Sequence, residues 1–237
     1  PHPSPPTTAA MIFPRRPPLA AALARRLKAW RALPPADLRR PHAQARYVVV
    51  DVEASGLDPD RDRLIAIGAC AVVGGRIEPA DSFAVVLQQA QVSPHDNILL
   101  HGIGAERQRT GLPPAEALTA LLEYVRHDPL LAFHAAFDRR LIERACRIHL
   151  GLRPRLSWLD LARLLPLLVH EPKLRSLDDW CAHYGIANPA RHDALADAWA
   201  TARLALIALR FAEARGLKHF QALQSELRAQ AWLRRGL

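Results

Sequence analysis

The pattern of apolar and polar positions divides the chain into elements. Leu19, Leu23, Leu27 and Trp30 fall on one stripe at helical spacing and predict a short helix, which Pro34 and Pro35 interrupt. Tyr47-Val48-Val49-Val50 lacks polar alternation and reads as a central strand buried on both faces. Leu64 to Val73 predicts a second strand, and Gly74-Gly75 a hairpin turn into a third that includes Phe83 to Leu87. After a loop, Ala115 to Arg126 reads as helix and Leu130 to Phe133 as a short buried strand. Phe137 to His149 reads as a helix with Leu141, Ala145 and Ile148 inward. Trp158 to Val169 is apolar throughout, and its pattern does not choose between strand and helix. Ser176-Leu177-Asp178-Asp179 has the chemistry of a helix start. Ala194 to Arg215 predicts a long helix ended by Gly216, and Leu217 to Arg234 another. A three-strand meander followed by alternating helices and strands predicts an α/β fold, a mixed sheet with helices on its faces.

At 237 residues, half of them hydrophobic, the chain accommodates one such domain with additional sequence. The expected division is a Pro/Arg-rich leader over residues 1–45, disordered over its Pro/Ser/Thr-rich residues 1–18, and a globular domain over 46–237. The leader is Arg-rich without an acid before Asp37, as in a transit peptide, but seven prolines in its first 18 residues oppose a continuous targeting helix. An excess of 32 Lys+Arg over 23 Asp+Glu gives a formal charge of +9. That favours a polyanionic partner, nucleic acid before an anionic membrane surface, unless the arginines reflect background composition. Cys70, Cys146 and Cys181 are widely spaced among apolar neighbours and fit buried thiols in a reducing compartment. No apolar run is long enough to span a bilayer, and a cytoplasmic location is expected.

Asp51 stands inside a run of valines, where an unpaired carboxylate costs several kcal/mol, roughly, to bury. Glu53 lies two residues on, and the period of a strand aims both carboxylates to one side. Two like charges there call for a cation between them, and oxygen-only ligands favour Mg²⁺ or Mn²⁺. By itself Asp-x-Glu is a weak signal, expected about once by chance in a chain of this length. Asp138 falls in the first turn of a helix after a buried strand, where the helix dipole alone favours an acid. His192 and Asp197, five residues apart, would face different ways along one helix. They converge if His192 lies in a loop, Asp193 caps the helix and Asp197 faces inward from its second turn.

Together these segments resemble the three exonuclease motifs of the DEDDh, or DnaQ-like, family. The first reads Val50-Asp51-Val52-Glu53-Ala54-Ser55-Gly56-Leu57, with Leu64 to Ala69 where the family has its second strand. The second is Ala135-Ala136-Phe137-Asp138, and the third runs from His192 to Asp197. His101-Gly102-Ile103 and Ser176-Leu177-Asp178 also fit, and the likeness extends from about Arg46 to about Ala212. Where the family often has Asn the chain has His134, and Ala66 stands where glutamate is common.

The resemblance implies a ribonuclease H-like fold and a 3′→5′ exonuclease that uses two Mg²⁺ or Mn²⁺ ions. It implies that Asp51, Glu53, Asp138 and Asp197 hold the metals, with Asp51 bridging, and that His192 activates the attacking water. His101, Gly102 and Ile103 would line a terminal-nucleotide pocket, and Lys173, Arg175 and Arg191 would contact phosphates. Expected partners are single-stranded 3′ ends, with DNA favoured over RNA, and a polymerase or repair protein reached through the leader. Two alternatives are a polymerase-associated proofreading subunit and an inactive nucleic-acid-binding module.

Overall fold

The computed structural model describes residues 19–171 and 173–233; the disorder expected for residues 1–18 lies outside them, as does Arg234. The valine run becomes β1 (Arg46–Ala54), the centre of a five-stranded sheet. It pairs antiparallel with β2 (Leu64–Val73), which pairs antiparallel with β3 (Arg76–Val86) across a turn whose Gly74 and Gly75 have φ of 56° and 76°. On its other side β1 runs parallel to β4 (Leu130–Ala132), and β4 parallel to β5 (Trp158–Asp160), giving the order β3-β2-β1-β4-β5.

Alternation along β1 builds two cores. Val48, Val50 and Val52 face a layer containing α1 (Ala21–Arg31), α4 (Pro114–Val125) and α5 (Ala135–Ala145). Tyr47 and Val49 face α6 (Leu161–Val169), α7 (Leu177–His183), α8 (Ala194–Ala214) and α9 (Phe220–Leu233). Helices therefore cover both faces, as the pattern predicts. The leader helix α1 buries Leu23, Leu27 and Trp30; Trp30 Nε1 donates to the Arg126 carbonyl at 2.7 Å, and Arg26 pairs with Glu123 of α4.

Three local readings change. The stretch before α4, read as loop, holds α2 (His95–His101) and α3 (Ala105–Arg109), both too short to display a period. Ile148 is 49% exposed rather than inward, because α5 runs on into a π turn over Cys146–Leu150 that shifts the register of its apolar face. The apolar run from Trp158 splits: three residues extend the sheet, then Asp160 caps α6 by accepting from the Ala162 N–H at 3.0 Å.

Candidate active site

Asp51 and Glu53 continue the face of β1 that carries Tyr47 and Val49, so both carboxylates turn toward α8. Opposite Asp51 in the sheet register stands Gly68 of β2. A Cβ there would lie 2.2 Å from the Ala194 carbonyl carbon and the Leu195 nitrogen, so only glycine lets the start of α8 press against the strand. Asp193 caps that helix, accepting from the N–H groups of Leu195 and Ala196 at 3.1 and 3.0 Å. Asp197, in the first turn rather than the second as the sequence suggests, then points at β1. One carboxylate oxygen each from Asp51, Glu53 and Asp197 lie within 4.8 Å of one another.

Asp138 enters from the first turn of α5 and is 4% exposed. Just before it, His134 adopts a left-handed conformation (φ 62°) and its N–H donates to Asp160 Oδ1 at 3.2 Å, which fixes the passage from β4 into α5. The His134 ring is exposed and stands edge-on to Phe133, with 4.9 Å between centroids.

Burial dominates the electrostatics. It raises Asp51 well above the carboxylate range, with the charges of Asp138, Asp197 and Glu53 adding to the effect. Burial and then the Asp197 charge push Glu53 up to about 8. Asp138 rises to about 8, again chiefly through burial, while backbone hydrogen bonds pull the other way. Arg191 supplies the nearby positive charge. Its guanidinium binds Asp197 Oδ2 through Nη1 and Asp178 Oδ1 through Nε at 2.6 Å. Asp197 also accepts from the Asn188 amide and from the His192 backbone N–H at 3.1 Å.

His192 lies in the loop before α8, half-buried, with φ 65°. It is close enough to His101 for its charge to help lower the His101 pKa, although burial is the larger cause. His101 closes α2 and is itself buried. Its Nδ1 accepts from the Ile103 N–H at 3.0 Å and its Nε2 meets Asn97 Oδ1 at 3.0 Å, so both ring nitrogens are engaged. Gly102 is exposed with φ 66°, and Ile103 packs beside Ile65 and Ala66. Lys173 and Arg175 are exposed, and the Arg175 N–H donates to Asp179 Oδ2 at 3.1 Å.

The structure thus gathers Asp51, Glu53 and Asp197 into one cluster, with Asp138 and His192 beside it. The sequence reading missed Gly68, Asn188 and the double ion pair of Arg191. A glycine inside a strand pattern signals close approach by another backbone, but the pattern does not say which one. The donor set is chemically suited to a hard divalent cation: it is oxygen-only, negatively charged and largely withdrawn from water.

A sequence profile described as Exonuclease (RNase_T) matches residues 48–205, a span from β1 into α8 that contains all four acids and His192. The chain belongs to this exonuclease family. This exonuclease-family chain is 30% identical over 194 residues to a DNA polymerase III subunit epsilon-like protein of Rhodobacter capsulatus, covering 81% of this chain and 27% of that one. It is 31% identical over 172 residues to the PolC-type DNA polymerase III of Thermotoga maritima, covering 71% of this chain and 12% of the relative. The chain therefore spans well under half the length of these relatives. Among solved structures, Escherichia coli Exonuclease I in complex with a dT13 oligonucleotide superposes with a TM-score of 0.60 at 18% identity, over 72% of this chain and 42% of that one. The nuclease domain of 3′hExo, a DEDDh family member bound to rAMP, gives 0.63 at 16% identity, over 70% and 92%. At these identities the likeness is one of fold, the ribonuclease H-like mixed sheet. Among the described residues no helix is long and apolar enough to cross a membrane.

Proposed function

We propose that this chain is a metal-dependent 3′→5′ exonuclease that releases nucleoside monophosphates from nucleic-acid 3′ ends, with DNA favoured over RNA. One observation carries the reading: the Asp51, Glu53 and Asp197 carboxylates share a 4.8 Å cluster between β1 and the start of α8, with Asp138 next to them. Four acids kept so close are costly without a counter-charge, and a protein retains them where divalent cations supply it.

Asp51, Glu53, Asp138 and Asp197 would hold two divalent ions, Mg²⁺ or Mn²⁺. Bound ions of this kind clamp the attacking and leaving oxygens of an in-line phosphoryl displacement. His192 would accept the proton of the attacking water. The new bond joins the water oxygen to phosphorus. The bond that breaks is phosphorus to O3′ of the preceding nucleotide, and that O3′ takes up a proton to become the new 3′ end. Arg191 must loosen its grip on Asp197 as cations take over the charge. The exposed backbone at Gly102, flanked by His101 and Ile103, is proposed to receive the terminal nucleotide, and Lys173 and Arg175 to meet phosphates.

The relatives named for DNA polymerase III support the DNA preference and also favour a second reading, a proofreading subunit that works beside a polymerase. The division proposed is a leader over residues 1–45 and a nuclease domain over 46–237. The leader helix α1 would then offer its solvent-facing side to a polymerase or repair partner.

The test presents the purified protein with 5′-labelled single-stranded DNA, mismatched duplex and RNA in Mg²⁺ or Mn²⁺. A ladder shortening from the 3′ end, fastest on DNA, is expected. Binding without cleavage would identify the inactive module instead, and internal cuts would overturn the exonuclease reading. Co-elution with a replicative polymerase on gel filtration would select the proofreading reading.

A further inference from the structure

Beyond the acids, one groove lies between the helix that carries Asp138 and a part of the chain that the family match does not cover. It measures about 530 Å³ and lies between α9 and the start of α5, with β5 and the first turn of α6 beneath it. The matched region ends at residue 205, so its outer wall, Gln224, Leu227 and Arg228 on α9, lies outside that match.

Three arginines from three helices face this groove: Arg139 of α5, Arg163 of α6 and Arg228 of α9. Arg139 is shared with Glu143 at 2.7 Å, whereas Arg163 and Arg228 are exposed and have no hydrogen-bond or ion-pair partner among the described residues. The acid lining the groove is Asp160, whose carboxylate is already engaged by the N–H groups of His134 and Ala162. The indole N–H of Trp158, also in the lining, is buried without an acceptor among the described residues. Ala135 and Ala136 put the positive end of α5 at the same place, with no side-chain cap. Asp138 lies between Ala136 and Arg139 on the same helix, so the groove and the acids share the first turns of α5.

Position along the sheet gives the groove a direction. The His101–Ile103 segment lies on the β2 side of the acids, with Ile103 packed against Ile65 and Ala66, and the groove lies on the β5 side. A strand whose terminal nucleotide occupies the first can run past the acids and leave by the second. We infer that the α9–α5 groove carries the sugar–phosphate backbone of the strand 5′ to the scissile bond, with Arg163 and Arg228 as its phosphate contacts. This rests on the nuclease reading above and adds a sequence-independent extended subsite to it, built by α9.

The test measures binding by fluorescence anisotropy in Ca²⁺ and, separately, hydrolysis in Mn²⁺. The probes are labelled dT20, labelled dT3 and the p-nitrophenyl ester of thymidine 5′-monophosphate. For Arg163→Ala/Arg228→Ala, the Kd for dT20 is expected to rise on the order of tenfold, the sum of two exposed ion pairs. Its salt dependence should flatten by about 1.4 in log–log slope, roughly 0.7 for each lost contact to a single strand. Binding of dT3 and turnover of the ester should stay at wild-type values, which also shows that the variant is folded. Unchanged dT20 affinity and slope would overturn the inference, as would an equal loss on dT3. A wild-type protein that binds dT20 through these arginines but hydrolyses nothing would refute the nuclease reading and leave the groove standing.

Discussion

Arg191 and Asp197 form an ion pair inside the acid cluster, and the same guanidinium reaches Asp178 at the start of α7. One arginine thereby ties the loop before α8 to α7 and places a positive charge where the acids most need it. Its charge opposes the upward shifts of both Asp51 and Glu53. On the proposed metal-binding reading, Arg191 competes with a cation for Asp197. Arg191→Ala should therefore lower the melting temperature of the metal-free protein by several degrees, since about 1 kcal/mol shifts a domain of this size by roughly 2–4 °C. The same change should tighten Mn²⁺ binding severalfold in calorimetry, because the competitor is gone. Weaker Mn²⁺ binding would show that Arg191 organises the site rather than competing for it.

The raised carboxylates make a prediction about pH. Glu53 moves from 4.5 to about 8 and Asp138 from 3.8 to about 8 on folding, so the folded state holds protons that the unfolded chain has released. The stability associated with these groups is complete below about pH 4 and drains away as pH rises toward 8. In EDTA, thermal unfolding should occur several degrees lower at pH 8 than at pH 5, and Mn²⁺ should close that gap because metal binding displaces the same protons. Asp51→Asn removes one of the mutually repelling charges. It should stabilise the metal-free protein at pH 8 while reducing nuclease activity by at least about 10³-fold, the scale of losing a group that acts on the reacting centre. A metal-free wild type that is no less stable at pH 8 than at pH 5 would contradict this account of the cluster.

Gly68 carries a steric prediction. A methyl group there would meet backbone atoms of Ala194 and Leu195 at 2.2 Å, which no side-chain rotation relieves. Gly68→Ala should cost about 1–3 kcal/mol, as overpacking does, and should push α8 from β2, taking Asp197 and His192 with it. Mn²⁺ affinity and nuclease rate are expected to fall together by at least about tenfold, since small displacements of positioned groups are expensive. Gly104→Ala is the control: nothing lies within 4 Å of its Cβ position, and it should behave as wild type.

His192 can be tested without disturbing its backbone. Its φ of 65° lies in the region that Asn also tolerates. His192→Asn should keep the four acids and the Mn²⁺ affinity while losing on the order of 10²–10⁴-fold in rate, the usual range for a lost general base. A loss of Mn²⁺ binding equal to the loss of rate would make His192 a structural element of the metal site instead.

Read alone, the sequence determined the elements whose signal is local. The valine run of β1, the Gly74-Gly75 turn, the cap at Ser176 and the length of α8 follow from period, turn chemistry and capping, all of which act between near neighbours. The positions of Asp51, Glu53, Asp138, His192 and Asp197 within the three motifs were equally legible. So was the two-residue spacing that puts Asp51 and Glu53 on one side of a strand. The tertiary structure alone decided what those residues meet. Arg191 lies next to His192 in sequence, yet its pairing with Asp178 depends on where α7 and α8 stop against each other. Gly68 is one small residue in an apolar strand until α8 lies across it. Ile148 turned outward because a π turn, invisible to a 3.6-residue period, broke the register of its helix. Arg139, Arg163 and Arg228 are far apart along the chain and share a groove only because α9 folds back beside β5. Capping and periodicity are properties of neighbouring residues, whereas charge pairing and close backbone approach depend on distances that only the packed layers define.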